Sequence, residues 1–316
     1  MVDVEAEGGG GATARGLVAV LLWSGLATLT AASGAIPPLQ LAAMSFSVGT
    51  VAGLIRMLLR GERFAVLKGM PAGALVLGIY GLLGFHVCYF FALQNAPPVP
   101  ASLIVYLWPL LIVVLSAFLP GALGGKGLGW WHVTGAVLGF AGCVMLLAGG
   151  GWHGDISGAG AGAGFALAFA AALIWSTYSV ASRLFAGVPS SSLIVSCAAT
   201  AVAAALLHAA LETTRWPASA TGWLAIGALG AGPVGLAFYL WDEGMKRGNI
   251  RMLGVAAYFT PLLSTLLLIA FGLGVATPRI WAAAALIVLG ALLAGADTIG
   301  LVKKKAPRPD RGASQV

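Results

Sequence analysis

The stretch Val105–Leu111, VYLWPLL, places a tyrosine, a tryptophan and a proline inside a long apolar segment. Pro109 has no backbone N–H to donate, and its ring presses on the carbonyl of Val105, four residues earlier. A helix that runs through this stretch is therefore expected to kink at Pro109. Because a freed carbonyl is tolerated in lipid only where it faces protein or a water-filled cavity, the stretch predicts a kinked membrane helix whose broken turn faces inward.

The composition of the whole chain supports a membrane location. Of 316 residues, 59% are hydrophobic and 9% are charged, whereas soluble domains carry about 25% charged residues. The 46 glycines keep no three-residue period, which excludes collagen, and small residues let membrane helices approach closely. Three cysteines lie in apolar runs and predict buried small side chains rather than disulfides or metal ligands: Cys88, Cys143 and Cys197. The chain is therefore expected to be an all-α integral membrane protein.

Windows of roughly 20 apolar residues, the length that crosses a bilayer, predict ten transmembrane helices. They are placed at 17–36, 39–60, 71–93, 98–120, 128–148, 159–185, 190–211, 219–245, 250–275 and 278–301. The first span lies where a signal peptide would lie, but its apolar run is longer than a signal core, so a helix is expected.

Basic residues predict the orientation of these spans. With the N-terminus in the cytoplasm, fifteen of the 17 Lys and Arg residues fall on the cytoplasmic side, and only Arg215 and Arg279 fall outside. This is the positive-inside pattern, and it predicts that both termini are cytoplasmic. The net charge of +7 is then explained without nucleic acid, and the basic tail, KKKAPRPDR at 303–311, is interpreted as a membrane-surface anchor.

An internal repeat appears when the sequence is shifted by 152 residues. Without any gap, the shift carries five residues of the first half onto similar ones of the second: Trp23 onto Trp175, Ser24 onto Ser176, Tyr89 onto Trp241, Tyr106 onto Tyr258 and Pro109 onto Pro261. The chain is predicted to consist of two five-helix halves, 1–155 and 156–316. Because five is odd, the second half must cross the membrane in the opposite sense, which is the architecture of many secondary transporters with a substrate site between the halves.

Aromatic and polar residues inside the spans are the candidate site. Tyr106, Trp108, Tyr258 and Thr260 lie mid-span beside the paired prolines Pro109 and Pro261, which are candidate hinges. A position facing the protein interior is favoured for these aromatic residues, and the alternative is the interfacial belt in which Trp and Tyr are enriched.

Three further positions lie deep in predicted spans. His86 and Tyr89 share one face of the third span. An ionisable residue in a membrane is a functional hypothesis, and the alternative for His86 is a neutral ring that donates to a neighbouring carbonyl. Trp175 lies inside the sixth span and Trp23 at the matching place in the first, so one of the pair could pack while the other contacts a ligand.

The interior lacks carboxylates near the middle of any span. Asp242 and Glu243 fall at the cytoplasmic end of the eighth span beside Lys246 and Arg247, where a solvated ion-pair cluster is expected. This pattern disfavours proton antiport through a carboxylate, leaves His86 as the deep titratable group, and favours a neutral or zwitterionic solute with a flat or apolar side chain. No catalytic motif or metal-ligand spacing occurs, so neither enzyme activity nor a cofactor is predicted.

With these residues in view, the chain resembles the drug/metabolite transporter superfamily over residues 15–303, and in particular its EamA-type members. HVCYF followed by VYLWPLL is most similar to the branch of bacterial aromatic amino acid exporters. The resemblance implies an inner-membrane exporter of aromatic and other neutral amino acids. Carried over to this sequence, it implies that six residues line a central cavity: His86, Tyr89, Tyr106, Trp108, Pro109 and Trp175.

The leading hypothesis is an exporter that works by alternating access, either as a facilitative uniporter or coupled to protons. The first alternative is a multidrug exporter for planar cationic or aromatic compounds held by cation–π contacts. The second is a membrane scaffold or lipid-handling protein without transport. The expected partners are a small-molecule substrate and membrane lipid, no nucleic acid is expected, and a monomer is the favoured state.

Overall fold

The computed structural model describes residues 4–96, 98–120, 128–147, 161–270, 276–294 and 296, and in this part of the chain all regular structure is helical. Up to residue 147 the helices are α1 (Val4–Ser24), α2 (Leu26–Ala32), α3 (Pro38–Leu59), α4 (Ala65–Lys68), α5 (Ala72–Ile79), α6 (Phe85–Asn95), α7 (Pro98–Val105), α8 (Trp108–Leu115) and α9 (Trp130–Leu147). From residue 161 they are α10 (Ala161–Ala181), α11 (Leu193–Leu211), α12 (Ala220–Ala231), α13 (Ala237–Arg247), α14 (Ile250–Ala256), α15 (Phe259–Ala270) and α16 (Pro278–Ala294). The basic tail lies outside the described residues.

Within these described ranges, six helical segments are long and apolar enough to cross a membrane: Gly9–Thr30, Pro38–Leu59, Ala72–Leu93, Ala161–Phe185, Ser190–Leu211 and Ala220–Arg247. The other four predicted spans contain shorter apolar helices, at Trp108–Phe118, Trp130–Met145, Ile250–Ser264 and Pro278–Ala294. The all-helical prediction is confirmed for the described residues, and the count of ten full spans stays a prediction.

The first helix begins earlier than the predicted 17–36. It starts at Val4, is interrupted at Gly25 and continues as α2 to Ala32. Its glycine-rich start packs against α13 and the turn that follows: a Cβ on Gly244 would lie 2.9 Å from the Cα of Gly16. The backbone N–H of Asn249 also donates to the hydroxyl of Thr13 at 2.9 Å. These contacts stabilise a helix where the apolar pattern alone does not indicate one.

The predicted kink at Pro109 is a full interruption. Helix α7 ends at Val105, and α8 begins at Trp108 with proline in its first turn. Between them the Leu107 N–H bonds the carbonyl of Ile104, three residues back, at 3.1 Å. Proline is well suited to the first turn of a helix, where its missing N–H needs no partner, so the chain starts a new helix instead of bending one.

The second half repeats this interruption between α14 and α15, where the Tyr258 N–H bonds the Val255 carbonyl at 3.1 Å. A second feature also recurs at the predicted spacing. Single π-helical turns occur at Tyr80–Gly84 and Gly232–Leu236, and a shift of 152 residues carries the first onto the second. The same shift carries α6 onto α13. These bounds support an internal repeat, while its inversion across the membrane stays a prediction.

Four helix pairs dominate the packing: α1 with α13, α6 with α10, α3 with α11, and α9 with α16. Each pair joins the two sequence halves. The α9–α16 contact is backbone to backbone, because a Cβ on Gly135 would lie 2.5 Å from the carbonyl oxygen of Gly290. Small residues allow this approach where lipid gives helices no hydrophobic drive to associate.

Candidate functional site

Four tryptophans from four helices pack against one another between the two sequence halves, and we call them the tryptophan cluster: Trp23 of α1, Trp108 of α8, Trp175 of α10 and Trp241 of α13. The Trp23 ring centroid lies 5.0 Å from that of Trp241, 5.7 Å from Trp175 and 6.2 Å from Trp108. The Trp23–Trp108 and Trp23–Trp175 ring planes cross at 86° and 73°, the edge-to-face geometry that aromatic pairs favour.

Further rings extend the cluster toward α6 and α3. Phe238 of α13 contacts Trp175 at 5.6 Å and His86 at 6.2 Å, and it therefore joins the tryptophan cluster to α6. On α6, Phe85 stacks on Tyr89 with an interplanar angle of 7°. Phe46 of α3 meets the His86 ring at 5.0 Å. The result is a continuous set of aromatic side chains contributed by both halves.

The two π turns accept hydrogen bonds from ring nitrogens of this site. The Trp23 indole N–H donates to the carbonyl of Pro233 at 3.0 Å, and Nδ1 of His86 donates to the carbonyl of Leu82 at 2.7 Å. Because a carbonyl only accepts, the His86 bond places a proton on Nδ1. This is the structural role that the sequence left open as the alternative for His86. π turns occur frequently at functional sites because they reorient local side chains and carbonyls.

The symmetric partner of Trp23 has a different environment. Within the described part of the chain, no hydrogen bond is found for the indole N–H of Trp175. The place that corresponds to Pro233 is Gly81, and there the ring of Tyr178 covers the backbone: a Cβ on Gly81 would lie 2.3 Å from Cγ of Tyr178. Trp175 is thus the member of the pair whose indole N–H is available to donate a hydrogen bond to a ligand.

The structure brings together four of the seven predicted binding residues in this ring system: His86, Tyr89, Trp108 and Trp175. Tyr106 is half-buried and packs against a second apolar cluster, which includes Val113 and Cys143.

Tyr258 lies elsewhere. It is fully buried in this second apolar cluster with Val113, Cys143 and Ile287, and within the described chain its ring contacts another ring only at Phe140. Thr260 is the second residue of α15, and its N–H donates to the Ala257 carbonyl. The structure gives it no contact with the tryptophan cluster among the described residues.

Four members of the ring set were missed as binding residues by sequence reasoning: Phe46, Phe85, Phe238 and Trp241. For two of them a signal was available, because the 152-residue shift carries Tyr89 onto Trp241 and His86 onto Phe238. Trp23 was noted only as the counterpart of Trp175.

The charges at the end of α13 are not solvated, and this expectation was wrong. Glu243 is 8% exposed and Asp242 is 3% exposed. Three arginines surround Glu243, and we call them the arginine cluster: Arg15 at 2.7 Å, Arg60 at 2.8 Å, and Arg56. Arg15 lies in α1, Arg56 in the last turn of α3 and Arg60 directly after it, so these two helices cover Glu243. The partners of Asp242 are Ser190 and Lys246.

At its other end, α3 is held by a different carboxylate. Glu212, which follows α11, accepts the backbone N–H groups of Leu39 at 3.0 Å and Gln40 at 3.1 Å. His208 contacts the same carboxylate through Nδ1 at 2.8 Å. A carboxylate at a helix N-terminus satisfies free N–H groups and complements the helix dipole. Polar ties to the second half therefore hold α3 at both of its ends.

These features define a multi-pass helical membrane protein with an aromatic site between its two sequence halves. Two segments, 13–148 and 162–296, match the model of the EamA-like transporter family. The chain belongs to the EamA-like transporter family, which confirms the resemblance seen in the sequence.

Within the described residues, no three His, Cys, Asp or Glu side chains are placed to hold a metal ion.

Relatives extend the comparison. A protein of Ancylobacter novellus named aromatic amino acid exporter YddG is 49% identical over 284 residues, covering 90% of this chain and 96% of that protein. Proteins of the same name from Salmonella typhimurium and Escherichia coli are 28% and 27% identical, over 89% and 81% of this chain and 96% and 87% of their own lengths. A crystal structure of a protein 47% identical in sequence superposes with a TM-score of 0.84, covering 90% of this chain and 97% of that chain.

Proposed function

We propose that this protein exports aromatic and other neutral amino acids across the bacterial inner membrane. The observation that carries the proposal is the set of packed rings, four of them indoles, in a chain 49% identical to a protein named as an aromatic amino acid exporter. Flat apolar side chains exchange contacts readily with indole and phenyl faces, since ring pairs contribute about 0.5–1.5 kcal/mol beyond their area burial.

The binding residues in this proposal are His86, Tyr89, Tyr106, Trp108 and Trp175. Trp175 offers a spare indole N–H, and because Nδ1 of His86 carries the proton that it donates to Leu82, Nε2 of the neutral ring is left as a hydrogen-bond acceptor. Tyr258, from its buried contacts, is assigned to packing.

Transport is proposed to proceed by alternating access between two inverted five-helix halves. The separate family matches at 13–148 and 162–296, the recurring π turns and the paired proline interruptions all support this reading. Pro109 and Pro261 are proposed as hinges because each follows a turn that interrupts a helix. The protein is proposed to act as a monomer with both termini in the cytoplasm.

The test uses purified protein in liposomes loaded with labelled phenylalanine, threonine or a planar aromatic cation. Efflux is followed with and without an imposed pH gradient, and empty-vector membranes carried through the same purification provide the control. We expect phenylalanine efflux above this control. Efflux that is indifferent to the gradient indicates a facilitative uniporter, whereas efflux that requires it makes a titratable group part of the cycle. Movement of the cation without phenylalanine would overturn the amino acid proposal in favour of multidrug export.

A further inference from the structure

A small cavity lies near the end of α13 that is predicted to face the cytoplasm. Its wall from the first half is apolar and includes Met70, Ala74 and Leu77. Its wall from the second half carries polar groups that include Ser182, Asp242 and Lys246. The two sequence halves therefore meet here across a space with one apolar side and one charged side.

The charged side is a buried ion pair near the end of a membrane-spanning segment, Ala220–Arg247. Oδ2 of Asp242 lies 2.7 Å from Nζ of Lys246, and the two side chains are 3% and 7% exposed. The Ser190 hydroxyl donates to the same carboxylate oxygen, and Lys246 also donates to the carbonyl of Val188 at 3.0 Å. Removing both charges from water costs several kcal/mol, so such a pair does little for stability compared with apolar residues of similar volume. Buried ionisable groups in a membrane span are functional candidates for this reason.

The position of the pair connects it to the aromatic site. Asp242 directly follows Trp241, whose ring is 5.0 Å from that of Trp23. Tyr178 lines the same cavity as Asp242 and Lys246, and its ring contacts that of Trp175 at 5.3 Å. The cavity with the ion pair is therefore separated from the tryptophan cluster by a single side chain.

We propose that Asp242 and Lys246 bind the charged head group of a zwitterionic amino acid, with Asp242 taking the α-ammonium group and Lys246 the α-carboxylate. The inference rests on the proposed function and specifies its substrate class. In the present arrangement the two side chains neutralise each other. When they part around a substrate, one buried ion pair becomes two, and no charge is left unpaired. The site therefore discriminates against amines and acids that carry only one of the two charges, because each would leave one partner without its counter-charge.

The test is competition against labelled phenylalanine in proteoliposomes that contain the full-length protein. The competitors are unlabelled phenylalanine, phenethylamine, which lacks the carboxylate, and 3-phenylpropionate, which lacks the ammonium group. For the wild-type protein each analogue is expected to compete at least about tenfold less well than phenylalanine, the loss typical of an unmet charged hydrogen bond. Asp242→Asn is expected to abolish the preference over 3-phenylpropionate, and Lys246→Met the preference over phenethylamine.

The matched control is Glu243→Gln, which changes the neighbouring carboxylate that contacts the arginine cluster. It is expected to alter competition by all three compounds to the same extent, so that both preferences persist. Because a single change leaves one buried charge unpaired, the double variant Asp242→Asn/Lys246→Met is included, and it should lose both preferences at once.

A second measurement on the wild-type protein keeps the proposal testable even if the variants fail to fold. Phenylalanine is expected to raise the melting temperature more than either analogue at equal concentration, and equal stabilisation by all three would overturn the inference. Variants that keep both wild-type preferences would overturn it as well, while phenylalanine export by the wild-type protein would leave the proposed function standing. Absence of phenylalanine export by the wild-type protein would instead remove the proposed function itself.

Discussion

Trp23 and Trp175 occupy matching places in the two halves but use their indole N–H groups differently. The N–H of Trp23 is held by the Pro233 carbonyl, whereas the Trp175 environment leaves its donor open within the described chain. The first indole is therefore a structural support for a π turn, and the second is suited to a ligand. The sequence predicted that one of the pair would pack, but it could not say which, because that depends on which residue covers Gly81.

We expect Trp23→Phe to destabilise the protein by roughly 1–3 kcal/mol, because it leaves the Pro233 carbonyl without its donor. The measurement is the melting temperature in detergent. Trp175→Phe is the matched control, which keeps a ring in the cluster and breaks no hydrogen bond of this kind. Equal melting temperatures for the two variants would contradict the structural role of Trp23.

Removing rings from the proposed binding site should lower phenylalanine efflux. Trp108 is 7% exposed among three other indoles, so truncation to alanine would cost roughly 3–5 kcal/mol of stability, and Trp108→Phe is the better substitution. Tyr106 is only half-buried, so Tyr106→Ala is tolerated more easily. We expect about a tenfold or greater loss of efflux in each variant at equal protein amount.

The control for these two variants is Trp281→Phe, at the start of α16, where the side chain is 61% exposed. It should export at the wild-type rate. Wild-type efflux in Tyr106→Ala and Trp108→Phe would remove both residues from the site.

Several site residues could be predicted from sequence and others could not. His86, Tyr89, Trp108 and Trp175 stand out because polar or amphipathic groups are unusual deep in an apolar span. Phe238 does not stand out among 13 phenylalanines by its neighbours, and the only sequence signal for it is the 152-residue shift that carries His86 onto it. The burial of Asp242 was also beyond the sequence, because helices remote in the chain cover it.

At the scale of elements, the packing of helices from one half against helices from the other depends on close approach of their backbones. Helices α9 and α16 meet at Gly135 and Gly290, each of whose added Cβ would lie within 2.6 Å of the other's carbonyl oxygen. Backbone cannot move aside as a flexible side chain can, so this contact fixes the distance between the two helices.

Gly135→Ala should therefore force α9 and α16 apart and lower stability by about 1–3 kcal/mol, the usual effect of overpacking. The control is Gly227→Ala in α12, where an added Cβ meets nothing within 4 Å. This control is expected to be neutral or stabilising, because alanine has the higher helix propensity. The melting temperatures of the two variants are compared. An equal fall in melting temperature for Gly227→Ala and Gly135→Ala would contradict the role of the α9–α16 backbone contact.

The helix boundaries show which features the apolar pattern of the sequence predicts and which it does not. The apolar windows located the long helices well, and Pro109 correctly marked a disturbance. The pattern could not distinguish a kink from an interruption, because proline is compatible with both a bent helix and the first turn of a new one. The start of α1 was missed because it is stabilised by residues distant in sequence, through Gly16 against Gly244 and Thr13 against Asn249.

At the scale of the whole molecule, the family and the all-helical class followed from composition and motifs, whereas orientation in the membrane stays a prediction. It rests on fifteen of 17 basic residues falling on one side. Two exposed positions are expected to lie on opposite sides: Arg63 between α3 and α4, and Thr213 between α11 and α12.

Orientation is checked by labelling single cysteines in a variant whose Cys88, Cys143 and Cys197 are replaced by alanine. In intact cells a membrane-impermeant maleimide should modify Thr213→Cys and spare Arg63→Cys, and both should react after permeabilisation. The reverse pattern would place the N-terminus outside and invert the predicted topology.

The two π turns have a further consequence for how the site tolerates change in length. A π turn holds one residue more than an α turn within about the same rotation, so Tyr80–Gly84 and Gly232–Leu236 each take up one extra residue locally. Losing that residue would leave an unbroken α-helix whose continuing segment keeps its rotational phase. His86 and Tyr89, or Phe238 and Trp241, would then still point toward the other indoles. Homologous chains can therefore lose a residue inside either turn and keep the ring set, whereas a single deletion between a turn and its rings would rotate those rings by roughly 100° and dismantle a whole side of the site.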